Sequence, residues 1–118
     1  MKLPVADLER TKAFYAAALE PLGYELVFEG PQSIGFGRDD FEPIAFVQAP
    51  SPSVGTHVAL TAFDTASVDA FHTAAVDAGG LDNGAPGARP YGDEYYAAFI
   101  LDPDGHNIEA VHHGDRPG

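Results

Sequence analysis

An internal repeat constrains this chain more than any other feature of its sequence. Asp7, Ala13-Phe14 and Ala17-Ala18-Leu19 recur as Asp64, Ala70-Phe71 and Ala74-Ala75-Val76, every pair 57 positions apart. In 118 residues, that period leaves room for two copies of one supersecondary unit and little else. Asp7 reads as the N-cap of a helix over about 7–19, which Pro21 and Gly23 stop. A second helix runs from Asp64 or Thr65 to about 78, with Val68, Phe71, Ala75 and Ala78 on one face and Gly79-Gly80 as its end. Short β-prone runs at 24–28, 33–37 and 44–48 follow the first helix. A run at 57–63 precedes the second helix, and runs at 95–101 and 107–112 follow it. Asp102-Pro103-Asp104-Gly105 is turn chemistry and joins the last two as a hairpin. Each copy thus reads strand, helix and two or three further strands, and neither copy alone buries both faces of its sheet. The expected fold is α+β, built of two βαβββ modules. Module one spans about 1–50 and module two about 55–113 of a single domain over 1–118, with Phe14 and Phe71 seating the helices on the convex faces.

Charge and composition remove several classes of function. The chain carries 6 Lys+Arg against 18 Asp+Glu, a formal net charge of −12. Nucleic acid demands clustered cations to displace its counterions, and an anionic membrane surface demands the same. Neither partner is expected. With no cysteine there is no disulfide, thiolate nucleophile, zinc-cysteine site or iron–sulfur cluster. The start, Met1-Lys2-Leu3-Pro4, has no apolar signal core, and no apolar run approaches a membrane span. A small, acidic, cytoplasmic domain is expected.

The residues Leu3-Pro4-Val5-Ala6-Asp7-Leu8 through Phe14-Tyr15, then Pro21-Leu22-Gly23-Tyr24, form one recognisable pattern. His57-Val58-Ala59-Leu60, Asp69-Ala70-Phe71-His72, Gly79-Gly80, Asn83-Gly84-Ala85-Pro86-Gly87 and the run from Asp102 to Glu109 extend it over almost the whole chain. In these residues the sequence resembles the vicinal oxygen chelate superfamily, which includes glyoxalase I, extradiol dioxygenases, and the fosfomycin and bleomycin resistance proteins. The resemblance implies paired βαβββ modules curled into a cup, and a divalent metal (Zn, Ni, Mn or Fe) that chelates vicinal oxygens of a small-molecule substrate. It also implies pairing of subunits, so a homodimer is expected. The superfamily spans lyases, dioxygenases, epimerases, transferases and metal-free binding proteins, so the fold does not name a reaction.

The resemblance assigns a ligand position to the first and the last strand of each module. In module two these positions hold His57 and Glu109, and Glu109 is also a candidate catalytic base. Strand alternation puts His57 with Ala59 and Thr61, and Glu109 with Asn107 and Val111. A carboxylate in the middle of an apolar strand is costly to bury unless paired or coordinated. In module one the counterpart of His57 falls one position before Met1, Ala45 or Phe46 stands where the carboxylate would be, and Gln48 is the nearest donor. Two good ligands are expected rather than three or four. Tyr91, Tyr95, Tyr96 and Arg89 cluster in the sequence. One of Tyr95 and Tyr96 must face the cup, and hairpin register decides which. Tyr95 and Asn107 are candidate substrate contacts, Tyr96 a candidate catalytic acid, and core packing is the competing role for both phenols. Arg89, in an expected loop over 84–89, is a candidate anion contact, with a plain surface role as the competing reading. His72 reads as surface, His106 as a turn-side residue rather than a ligand, and His112-His113 as a tail or, alternatively, as residues that approach the pocket by ending the last strand. Two functions fit. One is a metal-dependent enzyme, lyase-type or dioxygenase-like, favoured by the His57 and Glu109 pair. The other is a metal-free protein that binds a small hydrophobic or cationic compound, favoured by the missing ligands of module one.

Overall fold

The computed structural model describes residues 2–38, 41–49, 56–90 and 94–113. The first half runs β1 (Lys2–Val5), α1 (Leu8–Ala18), a 3-10 turn (Glu20–Leu22), β2 (Glu25–Glu29), β3 (Ser33–Arg38) and β4 (Phe41–Gln48). The second runs β5 (His57–Thr61), α2 (Thr65–Asp77), β6 (Leu81–Ala88), β7 (Tyr96–Leu101) and β8 (Asn107–His112). No helix among the described residues is long and apolar enough to cross a membrane. Both helices start where an aspartate caps them. The Asp7 carboxylate accepts from the amides of Glu9 and Arg10 at 3.0 and 3.2 Å. The Asp64 carboxylate accepts from the Ser67 amide and hydroxyl, each at 2.7 Å.

The repeat is visible in the topology. The strand orders are β1-β4-β3-β2 and β5-β8-β7-β6, one order displaced by a module. In each sheet the first and last strands of the module run parallel, and the other pairs are antiparallel. These two four-stranded mixed sheets with two helices are the α+β architecture expected. One expected loop is a strand: residues 84–88 belong to β6, whose pairing with β7 shifts register between Asp82 and Gly84 and again between Gly84 and Gly87. Glycine and proline read as loop residues by propensity, and ladder pairing with β7 overrides them through bulges.

Alternation divides each sheet into a covered and an uncovered face. Leu3, Val5, Ile34, Phe36, Ile44 and Phe46 are buried in the first half, and Val58, Leu60, Ala98, Ile100, Ile108 and Ala110 in the second. The aromatic anchor of α1 on its own sheet is Tyr15, whose ring stacks on Phe46 at 4.3 Å. Phe14 instead turns toward the second half, where a Cβ on Gly80 would stand 3.0 Å from its ring. Phe71 is fully buried on α2.

The two halves meet at a polar seam that the turn before β8 builds. Buried Asp102 accepts from the Tyr15 hydroxyl at 2.5 Å and from the amides of Asp104 and His106, each at 2.9 Å. Asp104 accepts from the Ala6 amide at 3.0 Å and from Arg10 at 3.2 Å. His106, at the end of this turn, is fully buried, with Nε2 2.8 Å from the Pro4 carbonyl oxygen. Apart from this turn, Arg38 lies over the rings of Tyr24 and Phe63 and donates to the carbonyls of Leu22 and Thr61.

Candidate functional site

The uncovered face of the second sheet carries the polar side chains. Register sets them in rows across β5, β8, β7 and β6. Ala59 pairs with Glu109, Glu109 with Phe99, and Phe99 with Gly84. Next to that row, His57 pairs with Asn107 and Asn107 with Leu101. On the other side lie Thr61, Val111, Ala97 and Gly87. Small residues thus make a shallow floor, with Glu109 and Phe99 rising from its centre.

Glu109 is the hub. Its side chain is only 3% exposed, while that of His57 is 52% exposed. Glu109 Oε1 lies 2.9 Å from His57 Nε2, and Oε2 accepts from the Tyr95 hydroxyl in a short hydrogen bond. Because the partner is a carboxylate, Nε2 of a neutral His57 carries the proton. Both carboxylate oxygens therefore have donors, which is what a buried carboxylate needs. The Tyr95 ring meets the His113 ring edge-on at 5.0 Å, and the His57 ring lies 6.1 Å from Phe99. Asn107 accepts from the Asn83 side-chain amide at 3.1 Å beside this cluster. Arg89 donates to the carbonyl of Ala85 at 2.7 Å and lies 5.5 Å from the Phe99 ring centre.

The structure therefore brings together His57, Glu109 and Tyr95, with Asn107 and Arg89 on the same face. Tyr96 is not brought there. Its hydroxyl donates to Asp69 on α2 at 2.6 Å, on the covered side of the sheet, and this hydrogen bond above all raises its pKa. Alternation sends adjacent tyrosines to opposite faces, so placing Tyr95 at Glu109 places Tyr96 at the helix. Tyr91 lies outside the described residues. His113 is no free tail, since it packs on Tyr95. His72 pairs with Asp82 at 2.9 Å between α2 and β6. Phe99 was missed by sequence reasoning, and His113 takes the second of its two expected places, at the end of the last strand beside the site. Their signal was register: Phe99 stands directly opposite Glu109, and His113 follows His112, the partner of Tyr96.

Register also identifies what the first half holds in place of Glu109. Lys2 pairs with Ala45 as Ala59 pairs with Glu109, and Lys2 and Ala59 are 57 positions apart. Ala45, not Phe46, is thus the counterpart of Glu109. Gln48 sits with the α1 N-terminus, lining a groove with Asp7, Leu8 and Lys12. It contributes nothing to the uncovered face.

The implied metal can be tested against these donors. Metal bonds of about 2.0–2.2 Å set at right angles separate two donors by roughly 3 Å. The 2.9 Å contact between His57 Nε2 and Glu109 Oε1 is a hydrogen bond, so a metal would take both donors only by displacing the Nε2 proton. An imidazole and a carboxylate suit Zn, Ni, Mn or Fe. Among the described residues no third His, Asp or Glu joins them. Among the described residues the pair offers a metal two donors, one imidazole and one carboxylate.

Two modules of strand, helix and three strands, each a four-stranded mixed sheet, with a buried carboxylate on an uncovered face, define a class. The chain belongs to the glyoxalase/bleomycin resistance protein/dioxygenase superfamily, whose family model matches residues 1–110. Among solved structures it is similar to a glyoxalase/bleomycin resistance protein from Albidiferax ferrireducens. That match has 29% identity and a TM-score of 0.83, covering 98% of this chain and 95% of the other. A glyoxalase-related enzyme from Fulvimarina pelagi is 24% identical with a TM-score of 0.80, covering 99% of this chain and 88% of that one. The bleomycin resistance determinant encoded on transposon Tn5 is 24% identical with a TM-score of 0.70, covering 96% and 94%. No curated protein sequence matches the chain.

Proposed function

We propose that the uncovered face of the second sheet binds a small oxygenated molecule and acts on it as a lyase-type enzyme, with Glu109 as the proton-handling group. The observation that supports this most is the Glu109 hub, a buried carboxylate gripped by His57 and Tyr95 on the sheet face opposite the one that carries the core. A divalent ion held by His57 and Glu109 would polarise the substrate oxygens as a Lewis acid. Tyr95 fixes the carboxylate orientation and Asn107 offers a further polar contact. Two protein ligands hold a metal less firmly than three or four, so the metal is weakly retained. Calorimetry with Mn²⁺, Ni²⁺ or Zn²⁺ should show weak binding, lost in Glu109→Ala and nearly unchanged in His113→Ala. Tight stoichiometric binding that survives Glu109→Ala would mean that other residues hold the metal.

A second reading is a metal-free binding protein. It is favoured by the two-donor count and by Ala45 in the carboxylate position of the first half. Ligand binding unaffected by exhaustive chelation, with no turnover, would select it.

We also propose a homodimer. β2 is an edge strand with Val27 59% and Phe28 56% exposed, and edges of that kind are usually paired or covered. Light scattering at micromolar concentration should give about twice the 12.4 kDa chain mass, and a purely monomeric solution would refute it.

A further inference from the structure

Glu109 is buried with a donor on each oxygen, so one donor must step away before the carboxylate meets an incoming molecule. The two donors are held differently. His57 stands in the β5 ladder, where it pairs with Asn107. Tyr95 lies one residue outside β7, and its phenol reaches Glu109 Oε2 from the strand end. Its carbonyl accepts from the Arg89 amide at 2.8 Å, and its ring rests edge-on against His113. Immediately before it, Glu94 has φ +56, the one non-glycine among the described residues in the left-handed region. There the Cβ of an L-residue crowds the following carbonyl oxygen, and glycine, asparagine or aspartate is the usual occupant. The Glu94 side chain is exposed, so core packing does not impose this conformation.

We propose that Tyr95 is a gate over Glu109, and that Glu94 is the positioning residue whose strained backbone poises it. The gate rests on the reading of Glu109 as the proton-handling group, and adds the movement that uncovers it. In the closed state the phenol donates to Oε2 and Glu94 is held at φ +56. In the open state the phenol leaves Oε2 to water or to the incoming molecule, and Glu94 relaxes to an ordinary negative φ. An ordinary residue in the left-handed region costs about as much as one charge-assisted hydrogen bond returns. The closed state is therefore favoured only modestly, which is what a gate requires. His57 remains in its ladder and keeps Oε1, so the carboxylate stays in place when the gate opens.

Access to Glu109 can be read on the full chain without metal or substrate. A water-soluble carbodiimide with glycinamide couples to reachable carboxyl groups, and peptide mass mapping reports the rate at Glu109 alone. Tyr95→Phe keeps the ring and deletes the bond, so labelling of Glu109 should rise about tenfold or more, the scale of a charge-assisted hydrogen bond. Glu94→Val keeps the phenol but resists φ +56, and should raise labelling roughly fivefold or more. Glu94→Gly has no such penalty and should lower labelling below wild type by a similar factor. A merely structural role for Glu94 does not give opposite signs at one position. Asp102, 4% exposed in the seam between the halves, reports global unfolding and should label equally slowly throughout. Where a variant labels Asp102 as well, its fold has opened, and the comparison of Glu94→Gly with wild type decides. Glu109 labelling that is unchanged in Tyr95→Phe, or that does not fall in Glu94→Gly, overturns the gate. Either failure removes the gate alone, because the enzyme reading stands or falls on the metal titration.

Discussion

At Glu109 the carboxylate is removed from water and given two specific donors instead. Such an arrangement is stable only while both donors remain, because each lone pair left bare in the interior carries a desolvation cost. Tyr95→Phe deletes one donor and little volume. It should lower stability by about 1–3 kcal/mol. The same change in a Glu109→Gln background should cost less, since a neutral amide needs the phenol less. A double-mutant cycle by urea unfolding measures the difference, and strict additivity would show that the two residues are not coupled. His57 and Glu109 were legible through the resemblance, which assigns ligand positions to the first and last strands of a module; Glu109 also stands mid-strand among apolar neighbours, whereas His57 opens β5. The choice between Tyr95 and Tyr96 was not legible. It depends on the pairing of β7 with β8, where Tyr96 stands opposite His112, and no sequence pattern fixes that register. The same holds for Ala45 against Phe46, which the pairing of Ala45 with Lys2 decides.

At the scale of elements, both helices were readable from their caps. Asp7 and Asp64 bond the first-turn amides as expected, and the helices run Leu8–Ala18 and Thr65–Asp77. Capping is a short-range interaction, so a short-range reading finds it. β6 shows the opposite case. Asn83-Gly84-Ala85-Pro86-Gly87 has the composition of a loop, and only the ladder to β7 makes it a strand. The bulges that reconcile the two are also what seats Arg89: the glycines that argue against a strand are the ones that leave room for its guanidinium. Local preference and tertiary pairing disagree there, and a disagreement of that kind often marks function.

At the scale of the molecule, the repeat explains two sheets but not how they are joined. The joint is the turn Asp102-Pro103-Asp104-Gly105-His106, legible only as a hairpin, whose carboxylates bond α1 and the segment after β1. Tyr15 is its central member, packed on Phe46 on one side and bonded to Asp102 at its tip. Burial first, then the Asp102 charge and hydrogen bond, push the Tyr15 phenol well above its ordinary value of 10.0. A group whose folded-state pKa is raised binds its proton more tightly in the native state. Its contribution to stability is therefore fully present below pH 10.0, the unfolded value, and is lost as pH rises toward the folded one. Tyr15→Phe should act at both ends of this range. Near neutral pH it should destabilise by about 1–3 kcal/mol, because buried Asp102 loses a donor. Above pH ~10 the variant should lose less stability than wild type, so the two curves converge. Some alkaline loss should persist in the variant, since Tyr24 is also raised by burial and Tyr96 by its hydrogen bond to Asp69. Urea midpoints measured from pH ~7 to ~11 on both proteins test this. Parallel curves across that range would show that Tyr15 does not carry the alkaline limb, and that the seam is held by Asp104 and His106 without it.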